Sequence, residues 1–211
     1  MGVKAEVKST RPYRTTLREE QALLTRRRIL ETARRLFVGR GYTQVTMQDV
    51  AREAGVAYQT VFSQFRSKLQ LALELCSSEL LHAGGAVAML GQVRDAGDPE
   101  ACLRMLGAFS RRLYEPCAEV LRFMRESGDP DLISRLREIG ARRLQLLSAV
   151  GPQLEQSGRL RPGLSGRQAI DLAWAMAGPE MYEELVLDRG WTPQQFESWL
   201  GAAVADLILV A

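Results

Sequence analysis

Histidine is all but missing from this chain, which has a single one, His82, in 211 residues. Cysteine is sparse: Cys76, Cys102 and Cys117 are odd in number and lack metal-ligand spacing. Neither a zinc site nor a disulfide framework can be built from them, and they read as buried free thiols in a reducing compartment, with a redox switch as the alternative. There is no HExxH, no paired-carboxylate motif and no nucleophile beside a base, so a helical enzyme has little to work with and no cofactor or metal is expected. No stretch of 18 or more uncharged apolar residues occurs, and residues 1 to 25 lack the apolar centre of a signal peptide. The expectation is therefore a cytoplasmic protein without membrane contact. Proline is scarce, β-branched runs are short, and no internal repeat or low-complexity segment is found, which points to an all-α chain.

Charge is present but unevenly spread. Residues 1–70 hold 14 Lys and Arg against 6 Asp and Glu, whereas residues 71–211 hold 14 against 19. The whole-chain net of +3 hides a basic first third on an acidic remainder. That split suits a module for a polyanion joined to a body that does not bind one, because phosphate neutralisation supplies most sequence-independent affinity. A membrane surface would use the same charge but would also need a free apolar helix face.

The segment from residue 26 to 75 explains where its apolar residues go. Ile29, Leu30, Ala33, Leu36 and Phe37 recur at three- and four-residue steps on one helix face, with Arg26, Arg27, Arg28, Arg34 and Arg35 mainly on the wet side. Gly39 and Gly41 end that helix. Thr46 and Asp49 form a capping-box pattern opening a second helix with Met47, Val50, Ala51 and Ala54 as its buried stripe. Gly55 permits a turn at positive φ, and Val56 fills the gap to a third, two-turn helix from Ala57 to Gln64 held by Val61 and Phe65. Ser67 with Gln70 opens a long helix at Lys68.

A short helix held by two others has the size to enter a B-DNA major groove about 12 Å wide. Gln59 carries an amide that can bond an adenine edge, and Tyr58 offers a hydroxyl and a ring for a thymine methyl. Thr60, Gln64 and Lys68 can bond phosphates, and Ser63 also faces outward. The bland alternative is that the cluster is merely part of a helical core, since such turns occur in many helical proteins.

The segment resembles the N-terminal domain of the TetR family of bacterial transcriptional regulators. The resemblance is carried by Ile29, Ala33, Leu36 and Phe37, then Gly41-Tyr42, Thr46, Val50-Ala51 and Ala54-Gly55-Val56, then Thr60-Val61-Phe62, Phe65 and Lys68. It implies a homodimer of all-helical subunits, each with an N-terminal DNA-reading domain and a C-terminal domain that binds a small inducer and dimerises. The implied DNA-binding set is Thr46, Ala57, Tyr58, Gln59, Thr60, Phe62, Ser63, Gln64 and Lys68. Three positions depart from the family pattern. Phe62 replaces a Tyr that reaches a phosphate, Ala57 replaces a capping Ser worth about 1 kcal/mol of local stability, and Gln59 stands where Gly is common.

The expected boundaries are a basic flexible arm over 1–20, the helix-turn-helix domain over 21–66 and a helical ligand-binding and dimerisation domain over 67–211. The arm carries Lys4, Lys8, Arg11, Arg14 and Arg18 and is either a solvated terminus or a minor-groove contact. Beyond Lys68 the breakers predict a helix weakened at Gly84-Gly85, then helices from Asp98-Pro99 to about Tyr114 and from Pro116 to about Glu126. Further helices are predicted from Asp129-Pro130 to about Gln156, from Ser165 with a kink at Gly178-Pro179, and from Thr192-Pro193 almost to the end. Met105, Phe109, Tyr114, Phe123, Met124, Trp174, Met176 and Tyr182 are candidates to line a pocket for an apolar or aromatic effector, with no buried-charge pattern from which to read its charge. Tyr182, Trp199, Leu200, Ala203, Val204 and Leu207 are candidates for a dimer interface, where Gly201, Ala202 and Ala205 would admit a second helix closely.

These readings converge on a sequence-specific DNA-binding regulator, a repressor released by a ligand from a palindromic operator that it binds as a homodimer. A helical adaptor for an acidic protein partner and a helical enzyme are the alternatives.

Overall fold

The computed structural model describes residues 12–82 and 98–210, and among these the regular structure is helical, apart from one isolated antiparallel bridge between Leu160 and Leu209. The first part comprises α1 (Pro12–Arg40), a 3-10 turn (Tyr42–Gln44), α2 (Met47–Glu53), α3 (Tyr58–Phe65) and α4 (Lys68–His82). The second comprises α5 (Pro99–Tyr114), α6 (Ala118–Glu126), α7 (Pro130–Ser148), α8 (Gly151–Gln156), α9 (Gly166–Met176), α10 (Pro179–Tyr182), a π-helical turn (Glu183–Asp188) and α11 (Pro193–Ile208).

Local chemistry places most of the starts. Thr46 and Asp49, Ser165 and Gln168, and Thr192 and Gln195 each make both reciprocal bonds of a capping box. Asp98 and Asp129 cap α5 and α7 directly before a proline. Gly41 and Gly55 take positive φ of 82° and 63°, which lets the chain turn into and out of α2.

Four expectations are revised. Residues 12–20, expected in the arm, already belong to α1; residues 1–11 lie outside the described residues, as do Gly84-Gly85. Farther along α1, Leu23 and Leu24 are 67% and 64% exposed. Gly39 does not end the helix, which runs on to Arg40. Gly178-Pro179 makes a break rather than a kink: α9 stops at Met176, and Gly178 in extended conformation starts α10. The long helix expected over 130–156 is interrupted at Ala149-Val150.

The body's closest helix crossing is between α5 and α11. A Cβ at Gly107 would lie 1.9 Å from the Glu197 carbonyl oxygen, and one at Gly201 2.2 Å from that of Arg104. Gly201 therefore admits a helix of its own subunit. Beside the crossing, Tyr182 packs between Tyr114 and Phe196, with ring centroids 5.9 and 5.0 Å away. Glu183, 2% exposed, takes Arg125 and Arg122 as partners, and Arg122 also grips Asp188 at 2.5 Å, which ties the π-helical turn to α6.

An aromatic joint fastens the first part to the body. Phe37 of α1 and Tyr42 of the 3-10 turn both pack on Phe123 of α6, at 5.3 and 6.4 Å. Arg34 bridges to Glu119 at 2.8 Å, and the Tyr42 hydroxyl reaches Asp129, the cap of α7, at 3.5 Å. Burial and Asp129 push the Tyr42 hydroxyl up to about 12, so it stays a proton donor.

Candidate nucleic-acid interface

The helix α3 is held from beneath and bare on top. Val61 and Phe65 are buried in the same core as Ile29, Leu36, Val50 and Ala54. Ala57, Tyr58, Gln59, Phe62 and Ser63 are exposed, and Thr60 is half-buried. Tyr58 stacks on Phe62 at 6.0 Å, giving an apolar shelf beside the Gln59 amide. Ser63 returns its hydroxyl to the Thr60 carbonyl at 3.0 Å, and Ala57 caps α3 with no side-chain bond. Gln59 thus stands among few competing hydrogen-bonding groups of its own helix.

Other sequence-predicted contacts sit less freely. The Thr46 hydroxyl is committed to Asp49, whose carboxyl is held down at about 2 by bonds from Thr46 and then Arg52. The Gln64 side-chain oxygen is buried without a partner, so its outward chemistry is limited. Lys68 is turned inward: its ammonium donates to the Tyr42 carbonyl at 2.9 Å and lies 4.3 Å from the Tyr42 ring centroid. Burial lowers its affinity for the proton, with Asp129 opposing.

The basic charge is likewise redistributed. Arg26, Arg34, Arg35, Arg40 and Arg52 all have acidic partners within 4 Å. Arg27, Arg28 and Arg66 are exposed and have no ion-pair partner among the described residues. Arg66, which sequence reasoning passed over, closes α3 at φ 57°, one residue before Ser67 caps α4. An exposed cation at that position, just before a helix N-terminus, is suited to phosphate. No periodicity marks it; only its position between two helices does.

Comparison with known proteins adds to this geometry. Residues 29–75 match the family model for bacterial regulatory proteins of the tetR family. Over these residues the chain is similar to the TetR family. An 88-residue stretch is 34% identical to the HTH-type transcriptional regulator TtgR of Pseudomonas putida, covering 42% of this chain and 41% of that relative. ArpR of Pseudomonas putida, a probable HTH-type transcriptional regulator, matches to the same extent. The chain thus matches well under half the length of these curated relatives. Over more of its length it has the fold of NalD, the secondary repressor of the MexAB-OprM multidrug efflux pump in Pseudomonas aeruginosa. That match has a TM-score of 0.64 and 21% identity over 90% of this chain and 98% of that one. It also has the fold of a Saccharomonospora viridis protein solved in complex with choline, with a TM-score of 0.68 and 23% identity over 88% and 98%.

The body of the chain holds a cleft of about 500 Å³ between α4, α5, α6, α7, α9 and α10. Of the eight residues expected to line a pocket, Tyr114 and Trp174 do so. Phe123 belongs to a separate hollow beside Phe37 and Tyr42. Met105, Phe109, Met124, Met176 and Tyr182 are not in the wall of the cleft; Phe109, Met124 and Tyr182 are spent in the core. Sequence reasoning missed Leu113, Leu136, Ile139 and three arginines of the wall, Arg125, Arg137 and Arg143. Its finding of no buried charge is corrected by Arg143, 8% exposed.

The expected dimer residues divide in the same way. Tyr182 of α10 and Leu200 and Val204 of α11 are buried in the subunit's own core, at 2%, 0% and 0% exposure. Trp199 and Ala203 are half-buried and Leu207 is exposed, so these keep surface on the outer side of α11. All three cysteines are buried thiols outside any disulfide among the described residues, and burial pushes Cys76 up to about 11 and Cys117 up to about 12. Thiols held protonated in this way are poor nucleophiles, which weakens the redox alternative. No helix among the described residues is long and apolar enough to cross a membrane.

Proposed function

We propose that this chain is a sequence-specific DNA-binding transcriptional regulator, a cytoplasmic repressor that binds a palindromic operator as a homodimer and leaves it when a small molecule enters the cleft of the body. One observation carries the reading: a family-matched three-helix unit presents, on a helix of groove-entering size, a bare face of Tyr58, Gln59, Phe62 and Ser63. Such a face has no use in the subunit's own packing, and its amide and rings match base-edge chemistry. The proposed units are the DNA reader, ending near residue 66, and the effector and dimerisation unit that follows it.

Two half-sites one DNA turn apart need recognition helices about 34 Å apart, which a dimer supplies. The free apolar surface of α11, Trp199, Ala203 and Leu207, supports its use as the subunit contact. The aromatic joint at Tyr42 supports coupling, since the cap of α7, a wall of the cleft, also touches the turn that leads into α2. The curated relatives are named as transcriptional regulators, and a neighbour of the same fold has been solved with a small organic molecule.

Selection of bound duplexes from a random DNA pool is the deciding experiment. Enrichment of a palindromic site is the expected result. Binding without sequence enrichment, or none at low salt, would leave the bare face of α3 without its proposed purpose.

A further inference from the structure

Arg143 is a buried cation without a buried anion. Its guanidinium donates to three neutral acceptors: the Tyr114 hydroxyl, the Ala177 carbonyl at 3.2 Å and the Trp174 carbonyl at 3.0 Å. Trp174 also lies with its ring centroid 5.0 Å from the guanidinium carbon. Five N–H donors are present in the group, and Nε, itself buried, has no acceptor. No carboxylate forms an ion pair with Arg143 among the described residues. The nearby acid, Glu180, is held by Arg125 at 3.0 Å. Buried charges in proteins are ordinarily paired, and a buried donor without a partner calls for an explanation.

The surroundings supply one. Arg143 forms part of the wall of the 500 Å³ cleft, together with Leu113, Leu136, Ile139 and Trp174. Arg137, one helical turn and a half earlier on α7, is exposed, lines the same cleft and has no ion-pair partner among the described residues. The cleft is thus greasy in its walls, and although Glu180 also lines it, that acid is taken by Arg125, which leaves Arg137 and Arg143 without an ion pair among the described residues. A carboxylate is the group whose two oxygens match the planar donors of a guanidinium.

We propose that the cleft takes a small amphipathic carboxylate, its anionic head on Arg143 with Arg137 assisting and its apolar body against Leu113, Leu136, Ile139 and Trp174. This rests on the reading of the cleft as the effector site and narrows it from any apolar or aromatic molecule to an acid. The apolar body is an aliphatic chain or an aromatic ring, two sources of one head-group chemistry.

The test is calorimetric titration of the purified chain with decanoate, decanol and decyltrimethylammonium below their micellar concentrations, and with 2-naphthoate and 2-naphthalenemethanol. Trp174 fluorescence reports the location, with Trp174→Phe as control. Either acid should bind at least about tenfold more tightly than its alcohol, the margin of a charge-assisted bond, and the quaternary amine should bind most weakly. Arg143→Met should remove the preference for acid over alcohol. Because that variant loses the bonds to Tyr114 and Ala177, Arg137→Ala serves beside it: an exposed residue whose loss leaves the fold intact but weakens acid binding several-fold, more at low salt than at high.

Equal or tighter binding of the alcohol or the amine overturns the inference. So does an acid preference that survives both substitutions, or the absence of any binding by the folded protein. Decanoate that binds with these preferences but does not release a selected operator upholds the acid site and removes ligand release from the proposed function.

Discussion

Replacing Lys68 by Met separates two accounts of what this lysine does. Its ammonium sits 2.9 Å from the Tyr42 carbonyl and 4.3 Å from the centroid of the Tyr42 ring, half-buried at the start of α4. A charged donor to a carbonyl contributes about 1.5–3 kcal/mol and a cation over a partly exposed ring about 0.5–1 kcal/mol. Against this stands the desolvation of the ammonium, large enough to lower its proton affinity even with Asp129 nearby. The difference leaves a net contribution of about 1 kcal/mol, which Met reduces while keeping the aliphatic stem. For a chain of this length that is a fall in Tm of about 2–4 °C.

The functional cost should be larger in kind. Lys68 pins the 3-10 turn that feeds into α2, so its loss loosens the platform under α3 and weakens operator binding several-fold. The diagnostic measurement is the salt dependence of binding. A pinning residue changes the intercept and leaves the slope of log K against log salt unchanged. A phosphate contact, the role read from sequence, makes the slope shallower by about 0.9 for each chain bound. A shallower slope with an unchanged Tm would show that the ammonium leaves Tyr42 for the DNA and would refute the pinning argument.

Gln59→Ala should cost about 1–3 kcal/mol on the preferred operator and relax preference at one base per half-site, read by competition among variant duplexes. Gly201→Ala sets a helix-propensity gain of about 1 kcal/mol against a Cβ 2.2 Å from the Arg104 carbonyl oxygen. Backbone must move, so the net is destabilisation by about 1–3 kcal/mol; a raised Tm would disprove the close crossing. Ala203→Glu, on the surface α11 keeps free, should give a folded monomer in sedimentation that binds a half-site weakly, since the avidity of a second reader is lost. Asp49, held at about 2 against an ordinary 3.8, contributes stability that is present above the ordinary value and disappears as pH falls through about 2. Asp49→Asn should therefore flatten the acid side of the Tm-against-pH curve over that window.

What sequence could show followed the range of the interaction. The boxes at Thr46, Ser165 and Thr192 close within three residues, so the residues that make them are adjacent in print. The face of α3 was legible for the same reason, because Val61 and Phe65 must point inward and Tyr58, Gln59 and Phe62 then cannot. The partner of Gly201 lies 97 residues away at Arg104, and nothing near Gly201 says whether the helix it admits is in the same chain or another. Arg143 follows Arg142 in an amphipathic helix and reads as one of a solvated pair; only the packing of α7 against α5 and α9 turns one inward. Lys68 looked outward because helix starts face phosphates in general, whereas the carbonyl that claims it is 26 residues back.

The contacts missed by that reading are the ones that connect the cleft to the reader. The helix α7 carries Arg143 in the cleft wall and is capped by Asp129, which meets the Tyr42 hydroxyl. Fourteen residues of rigid helix make a lever of about 21 Å. On the proposed function, a ligand that draws Arg143 toward its carboxylate and tilts the helix by about 3° moves the Asp129 end by roughly 1 Å. The Tyr42 bond, already 3.5 Å long, is at the outer limit of a hydrogen bond and does not survive that displacement. Tyr42 carries the carbonyl that holds Lys68, so the same small motion reaches the start of α4 and the entry to α2 together. A joint in which packed rings and the Arg34–Glu119 ion pair hold the reader in register, while the one weak bond at Tyr42 costs little to release, is suited to this.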